Sequence, residues 1–196
     1  MTAPAAVLIG PPGAGKSAVG PLLAELLGVS FRDTDTDVAE AAGQPVSDIF
    51  ITRGEPAFRE LERAAAASAL REHDGVLVLG SGAVLDPDLQ PLLDGLPVVY
   101  LAADFATVAR RLGLDRPRVV VPGNPRGRLR AMLEERRPLY ERLASVTVKT
   151  DDLDPDEVAA QIAATLADAT TSEQPRPPAS SRDDQRATPM TSERPR

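Results

Sequence analysis

The sequence predicts an α/β fold of three layers, a parallel sheet with helices on both faces, and three observations predict it. Short unbroken apolar runs at 5–9, 76–79 and 98–101 have strand length and alternate with longer segments whose apolar residues recur at helical spacing. Strands buried on both faces read in this way, and their alternation with helices is the pattern of a parallel sheet. The first run leads straight into Gly10-Pro11-Pro12-Gly13-Ala14-Gly15-Lys16-Ser17, which has the spacing G-x-x-x-x-G-K-[ST] of a phosphate-binding loop and stands before a helical pattern. Finally, 196 residues with 42% hydrophobic content can supply the core of one domain and leave a tail.

The loop chemistry follows from the backbone. Gly10, Gly13 and Gly15 allow conformations closed to other residues, so successive N–H groups can turn inward around phosphate oxygens. The helix opening near Lys16 adds unpaired N–H groups and the positive end of its dipole. Lys16 can then reach the outer phosphates, and the Ser17 hydroxyl can hold a magnesium ion against them. A chance glycine-rich turn is the alternative, and the strand-loop-helix order argues against it.

In chain order, Val19, Leu22, Leu23, Leu26 and Leu27 mark a first helix that Gly28 closes. A short strand over 29–32 runs into Asp33-Thr34-Asp35. Helical pattern follows over 36–42 and 46–50, then over 55–72, where strong helix formers include an alanine run. The strand at 76–79 ends in Gly80-Ser81-Gly82. Asp86-Pro87 reads as the start of a helix that Gly95 ends. After the strand at 98–101, Asp104 caps a helix carrying Phe105, Val108, Ala109 and Leu112. Residues 113–127 mix Gly, Pro and Arg and read as a loop or lid. A helix is expected over 128–143, distorted at Pro138, then a strand over 146–148. Asp154-Pro155-Asp156-Glu157 is a capping box for a last helix with Val158, Ile162 and Leu166 on one face. The domain is expected to end at 170, and 171–196 reads as a disordered tail poor in apolar groups.

Composition excludes several classes. Without cysteine there are no disulfides, thiolate metal sites or cysteine nucleophiles, and a reducing cytoplasm is the expected location. No apolar run approaches membrane-spanning length and no signal segment leads the chain, so no membrane partner is expected. A net charge of −7 and few aromatics argue against nucleic acid as a partner. His73, between Glu72 and Asp74, reads as a surface residue without a catalytic role.

In an open parallel sheet, ligands bind beyond the C-terminal ends of the strands, and four clusters fall there. The first is the loop. The second is Asp33-Thr34-Asp35, read as two carboxylates that face opposite sides of an extended segment: Asp33 toward magnesium beside Ser17, Asp35 toward an acceptor hydroxyl as a base. The alternative is an N-cap for the next helix. The third is basic, Arg59 with Arg136 or Arg137, which suits a bidentate grip on carboxylate or phosphate, although a helix-surface arginine is usually solvated. The fourth, Gly80-Ser81-Gly82, allows close approach of a ligand or simply turns the chain.

These stretches together resemble the shikimate kinase family from residue 5 to about 166: G-P-P-G-A-G-K-S, D-T-D, D-I-F (48–50), G-E-P-A-F-R-E-L-E (54–62), L-G-S-G-A-V (79–84), V-V-Y-L (98–101), R-P (116–117) and R-R-P-L-Y (136–140). The loop is widely shared; D-T-D, F-R-x-x-E and R-x-P-L-Y in that order are specific. The resemblance implies a P-loop fold like that of the nucleoside monophosphate kinases, with sheet order 2-3-1-4-5, and transfer of the γ-phosphoryl of ATP to the 3-hydroxyl of shikimate by a monomer with Mg2+. It implies ATP binding by Gly10, Gly13, Ala14, Gly15, Lys16, Ser17 and Ala18, with Arg111 and Pro155 at adenine and Arg116 as the lid arginine over the transferring phosphate. Asp33 and Ser17 would serve the metal, and Lys16, Asp35 and Arg116 the catalysis. Asp35, Arg59, Gly80, Ser81, Gly82 and Arg136 would hold shikimate.

Two departures from the family pattern stand out. Ser81 replaces the middle of three glycines, and if its backbone were left-handed it would cost about 1–2 kcal/mol. The lid is short, with Arg118-Val119 after Arg116-Pro117. Both bear on acceptor choice. They leave open a related kinase acting on an aminoshikimate- or gluconate-like acceptor, beside the third alternative of a nucleotide-binding module without catalysis.

Overall fold

A computed structural model describes residues 3–115 and 124–172. Five strands, β1 (Ala6–Ile9), β2 (Phe31–Asp33), β3 (Val76–Val78), β4 (Val98–Ala102) and β5 (Val146–Lys149), form one sheet. Every pairing is parallel, in the order β2-β3-β1-β4-β5. This is the expected architecture and strand order.

Side chains alternate across β1, so Ala6 and Leu8 join one core with Val78, Val99 and Val148, while Val7 and Ile9 join another with Leu77, Leu79 and Tyr100. Helices α1 (Lys16–Leu27) and α7 (Pro155–Ser172) cover the first face, through Val19, Leu23, Val158 and Ile162. Helices α4 (Gly54–Glu72) and α6 (Pro125–Leu143) cover the second, through Ala66, Ala69, Leu70 and Tyr140. A satellite core of Val38, Ile49 and Phe58 joins α2 (Thr34–Ala42) and α3 (Val46–Thr52) to α4. Another joins α5 (Phe105–Arg111) to α6 through Val108, Leu129 and Leu133. No helix among the described residues is long and apolar enough to cross a membrane.

Capping sets the helix ends much as expected. Gly28 and Gly43 close α1 and α2 in the left-handed conformation, at φ of 66° and 67°. Asp104 accepts from Thr107 N at 2.7 Å, and Glu157 accepts from Asp154 N at 2.9 Å, the returning half of the capping box. Asn124 opens α6 by accepting from Gly127 N, so the helix starts at Pro125 and not at 128, and it continues through Pro138.

The helix expected from Asp86 to Gly95 does not form. The segment carries short 3-10 turns at Ala83–Leu85 and Gln90–Leu93, with bonds such as Leu92 N to Leu89 O. Pro91 has no N–H to return to the carbonyl of Pro87, so an α-helical ladder fails in its first turns. Of the expected lid, 116–123 lies outside the described residues, as does the expected tail beyond Ser172. Its first two residues belong to α7.

Candidate active site

The site is assembled at the C-terminal ends of β1, β2 and β3. At the end of β1, Gly10 has φ of 148°, and a Cβ there would lie 2.7 Å from the carbonyl oxygen of Leu101 on β4. Gly15, at φ of 101°, caps α1. Only glycine meets both demands, and the resulting curl brings Lys16 back over the loop. The Lys16 Nζ donates to Gly10 O at 2.9 Å and to Pro11 O at 3.2 Å. Burial lowers its pKa to about 8, against the opposing pull of Asp35, Asp33 and Glu62. The ammonium is thus mostly charged at neutral pH in a place that disfavours its charge, and a polyanion is the partner that would relieve it.

Arg111 braces the same loop from behind. Its Nη1 donates to Gly13 O and Ala14 O, both at 3.2 Å, and to Thr150 Oγ1 at 3.0 Å, while Nη2 donates to Thr150 O. The buried Thr150 hydroxyl donates in turn to Ala14 O at 3.1 Å. Arg111 was expected beside adenine together with Pro155. In the structure its guanidinium ties the loop to the end of β5, and Pro155 starts α7 at the surface a few residues on.

Asp33 is the N-cap of α2, as the alternative reading had it, and it also bonds Ser17 of the loop. One carboxylate oxygen accepts from Asp35 N at 3.0 Å and caps α2, and the other accepts from Ser17 Oγ at 2.7 Å. The expectation that the two aspartates diverge from an extended segment needs correction. Residues two apart on a strand share a face, so extension alone could not separate them. The chain ends its strand at Asp33 and turns helical at Thr34, and Asp35 therefore leaves from the first turn of α2. Burial raises the Asp35 pKa, the charge of Asp33 and that of Glu62 push the same way, and Lys16 opposes them.

Gly80-Ser81-Gly82 is where the remaining groups meet. A Cβ on Gly80 would sit 2.7 Å from Glu62 Oε1 and 2.8 Å from Asp35 Oδ1, and one on Gly82 would sit 2.0 Å from Arg59 Nη1. The outer glycines therefore leave room for the ends of these side chains, which a Cβ would displace. No non-glycine among the described residues has positive φ, so Ser81 carries none of the left-handed strain that its sequence position suggested. Glu62, only 3% exposed, accepts from Arg59 Nη1 at 2.7 Å and from Gly82 N at 3.3 Å. Arg59 also donates to the exposed Glu55, at 3.0 Å. From α6, the Tyr140 hydroxyl donates to Ser81 O at 2.8 Å, and Arg136 stands one turn earlier on the helix. Asp35 and Arg59 thus converge on one tripeptide, and α6 brings the Arg136 position to within one helical turn of the tyrosine that bonds it.

A cavity of about 300 Å3 joins the two halves, lined by Gly15, Lys16, Ser17 and Ala18 of the loop together with Asp35 and Ser81. A larger hollow of about 610 Å3, bounded by Gln90, Gly95, Arg142 and Ser145, opens at the opposite end of the sheet and carries none of these groups. Of the expected residues, Ala14 is fully buried and offers only backbone, and Arg116 lies outside the described residues. Sequence reading gave no role to Glu62, Thr34, Thr150 or Tyr140. Thr34, also buried, accepts from Gly80 N at 2.9 Å. For Glu62 a signal existed, since its spacing of three from Arg59 puts both on one helix face.

The sequence model of the family described as Shikimate kinase matches residues 12–167. The chain is 52% identical to a shikimate kinase of Thermobifida fusca over 163 residues, covering 83% of this chain and 95% of that one. It is 50% identical to a shikimate kinase of Salinispora arenicola over 165 residues, covering 84% and 99%. A structure of shikimate kinase from Acinetobacter baumannii in complex with shikimate superimposes with a TM-score of 0.76 at 31% identity, covering 89% of this chain and 97% of that one. A gluconokinase from Sinorhizobium meliloti reaches a TM-score of 0.52 at 21% identity, covering 85% and 93%, a likeness of fold alone. With half of its residues shared over the full catalytic span, the chain belongs to the shikimate kinase family, ATP-dependent phosphotransferases of the route to the aromatic amino acids.

Proposed function

We propose that the loop from Gly10 to Ala18 holds the phosphates of ATP and that shikimate lies against Gly80-Ser81-Gly82, its 3-hydroxyl toward Asp35 and its carboxylate toward Arg59 and Arg136. The observation that carries this reading is the convergence of Asp35 and Arg59 on one tripeptide beside the phosphate loop, with Arg136 one helical turn from the Tyr140 that bonds that tripeptide. The acceptor oxygen attacks the γ-phosphorus, the bond to the bridging oxygen breaks with its electron pair leaving on ADP, and the hydroxyl proton passes to Asp35. The raised Asp35 pKa makes its carboxylate a better proton acceptor than an exposed aspartate.

Lys16 stabilises the charge that shifts toward the bridging oxygen. Arg59 must turn partly from Glu55 to take a carboxylate, and an exposed pair spaced four apart is worth only about 0.3–0.5 kcal/mol. Glu62 keeps hold of the other edge of the guanidinium.

A magnesium ion fits the donors present. Ser17 Oγ and Asp33 Oδ2 are two hard oxygens 2.7 Å apart at the loop. Mg2+ typically takes one or two protein oxygens and completes its shell with phosphate and water. No group of three or more His, Cys, Asp or Glu able to hold a metal occurs among the described residues. When bound, the ion would neutralise phosphate charge, while Asp33 and Ser17 hold it on the loop side of the cavity. The proposed role of Arg116 is to cover the transferring phosphate and exclude water. The enzyme is proposed to act as a monomer, and the cysteine-free composition supports a cytoplasmic location.

The test is a coupled ADP-release assay with shikimate, an aminoshikimate and gluconate. Turnover is expected with shikimate foremost. Turnover with gluconate or the amino analogue but none with shikimate would reassign the acceptor, and ATP binding with no turnover on any would leave a binding module.

A further inference from the structure

We propose that Thr150 is a positioning residue of the nucleotide site, its hydroxyl fixing the peptide between Ala14 and Gly15 so that the Gly15 N–H faces the phosphates. This rests on the reading of the loop as the holder of the phosphates of ATP. Thr150 directly follows β5 and is 1% exposed. Its own N–H donates to Ala102 O at the end of β4, at 2.9 Å, so the sheet places the residue independently of its side chain. The hydroxyl spends its one proton on Ala14 O at 3.1 Å, and its oxygen accepts from Arg111 Nη1 at 3.0 Å, the only direction open to a guanidinium.

A trans peptide unit is planar, so its C=O and its N–H point opposite ways. No cis peptide occurs among the described residues. In the unit that joins Ala14 to Gly15, the carbonyl is held from the β5 side by Thr150 Oγ1 and Arg111 Nη1. The Gly15 N–H is thereby turned to the other side, and Gly15 lines the cavity together with Lys16 and Ser17. The preceding amide has a different task, since Ala14 N donates to Pro11 O at 3.2 Å within the loop.

The two donors to Ala14 O are unequal. Arg111 reaches it from an exposed residue, and its Nη1 divides two protons among Gly13 O, Ala14 O and Thr150 Oγ1. The Thr150 hydroxyl is buried, aims its proton at Ala14 O and gives the guanidinium a fixed acceptor. Without it the nucleotide must order the peptide on binding, and that cost falls on affinity. The phosphates meet the same amide before and during transfer, so the chemical step is spared.

The experiment measures ATP dissociation constants, steady-state kinetics with shikimate and melting temperatures for wild type, Thr150→Val, Thr150→Ala and Thr150→Ser. T150V keeps the shape without the hydroxyl, and T150A removes the hydroxyl without placing a methyl against the loop. Both should raise the Kd and KM for ATP about tenfold while kcat and the shikimate KM stay within about twofold. T150S restores the hydroxyl and should return ATP affinity to within about twofold of wild type. Unchanged ATP affinity in T150V and T150A beside normal wild-type binding would overturn the inference alone. So would T150S as weak as T150V, or a lowered melting temperature with both KM values raised together, which would make Thr150 a packing element. If wild type bound no ATP, the reading of the loop would fall and this inference with it.

Discussion

Lys16 is held where its charge is unwelcome, and removing it should make the free protein more stable. Folding lowers its pKa from 10.5 to about 8, chiefly by burial. Between those two values the folded chain binds fewer protons than the unfolded one, so stability gained from this group rises with pH across that window and is lacking below it. The drop corresponds to roughly 3 kcal/mol at neutral pH. In Lys16→Met the carbonyls of Gly10 and Pro11 lose their donor, which returns about 1 kcal/mol or more of the gain. A net increase of about 1–2 kcal/mol remains, a rise in melting temperature of roughly 3–6 °C for a chain of this size. Magnesium ATP should reverse the order, since a ligand at about a hundred times its Kd adds about 2.7 kcal/mol to wild type and little to a variant that cannot hold the phosphates. Thermal melts of both proteins from pH 7 to 10.5, with and without nucleotide, read all of this. The reasoning fails if K16M melts below wild type without nucleotide at pH 7, or if the difference between them does not shrink as the pH rises through 8.

The other predictions concern the acceptor side. Gly82→Ala places a Cβ about where Arg59 Nη1 now sits; it should lose about 1–3 kcal/mol of stability and raise the shikimate KM at least about tenfold while ATP affinity holds. An unchanged KM would mean that Arg59 does not serve the acceptor. Ser81→Gly should lower the melting temperature slightly, because the serine backbone is unstrained and a glycine adds unfolded-state freedom worth about 0.4–1 kcal/mol; a rise would show strain after all. The acceptor profile of the same variant tells whether the hydroxyl selects among acceptors.

What was legible in the sequence was what is local. The phosphate loop follows from eight consecutive residues, the helix ends from Gly28, Gly43 and Asp104, and the strand order from the resemblance that those motifs carried. The failures share a cause as well. The segment after Asp86 has helical composition, but a single proline four residues on from another removes the bond that the composition cannot count. Asp33 and Asp35 were assigned to two sides of a strand, whereas the turn between them belongs to a helix start at which Asp33 is itself the cap. The supporting polar groups escaped because their partners are remote. Thr34 meets Gly80 46 positions away, Tyr140 meets Ser81 at 59, and Thr150 meets Ala14 at 136. A side chain whose purpose is to hold another reveals it only once the sheet has brought the two together.

Catalysis turns on Asp35 acting on the acceptor and not on the nucleotide, and Asp35→Asn tests this with one pair of numbers, kcat with shikimate and the dissociation constant for ATP. Loss of the carboxylate should lower kcat by about 10²–10⁴-fold and leave ATP affinity within about twofold. A kcat close to wild type, or ATP binding lost along with turnover, would contradict it.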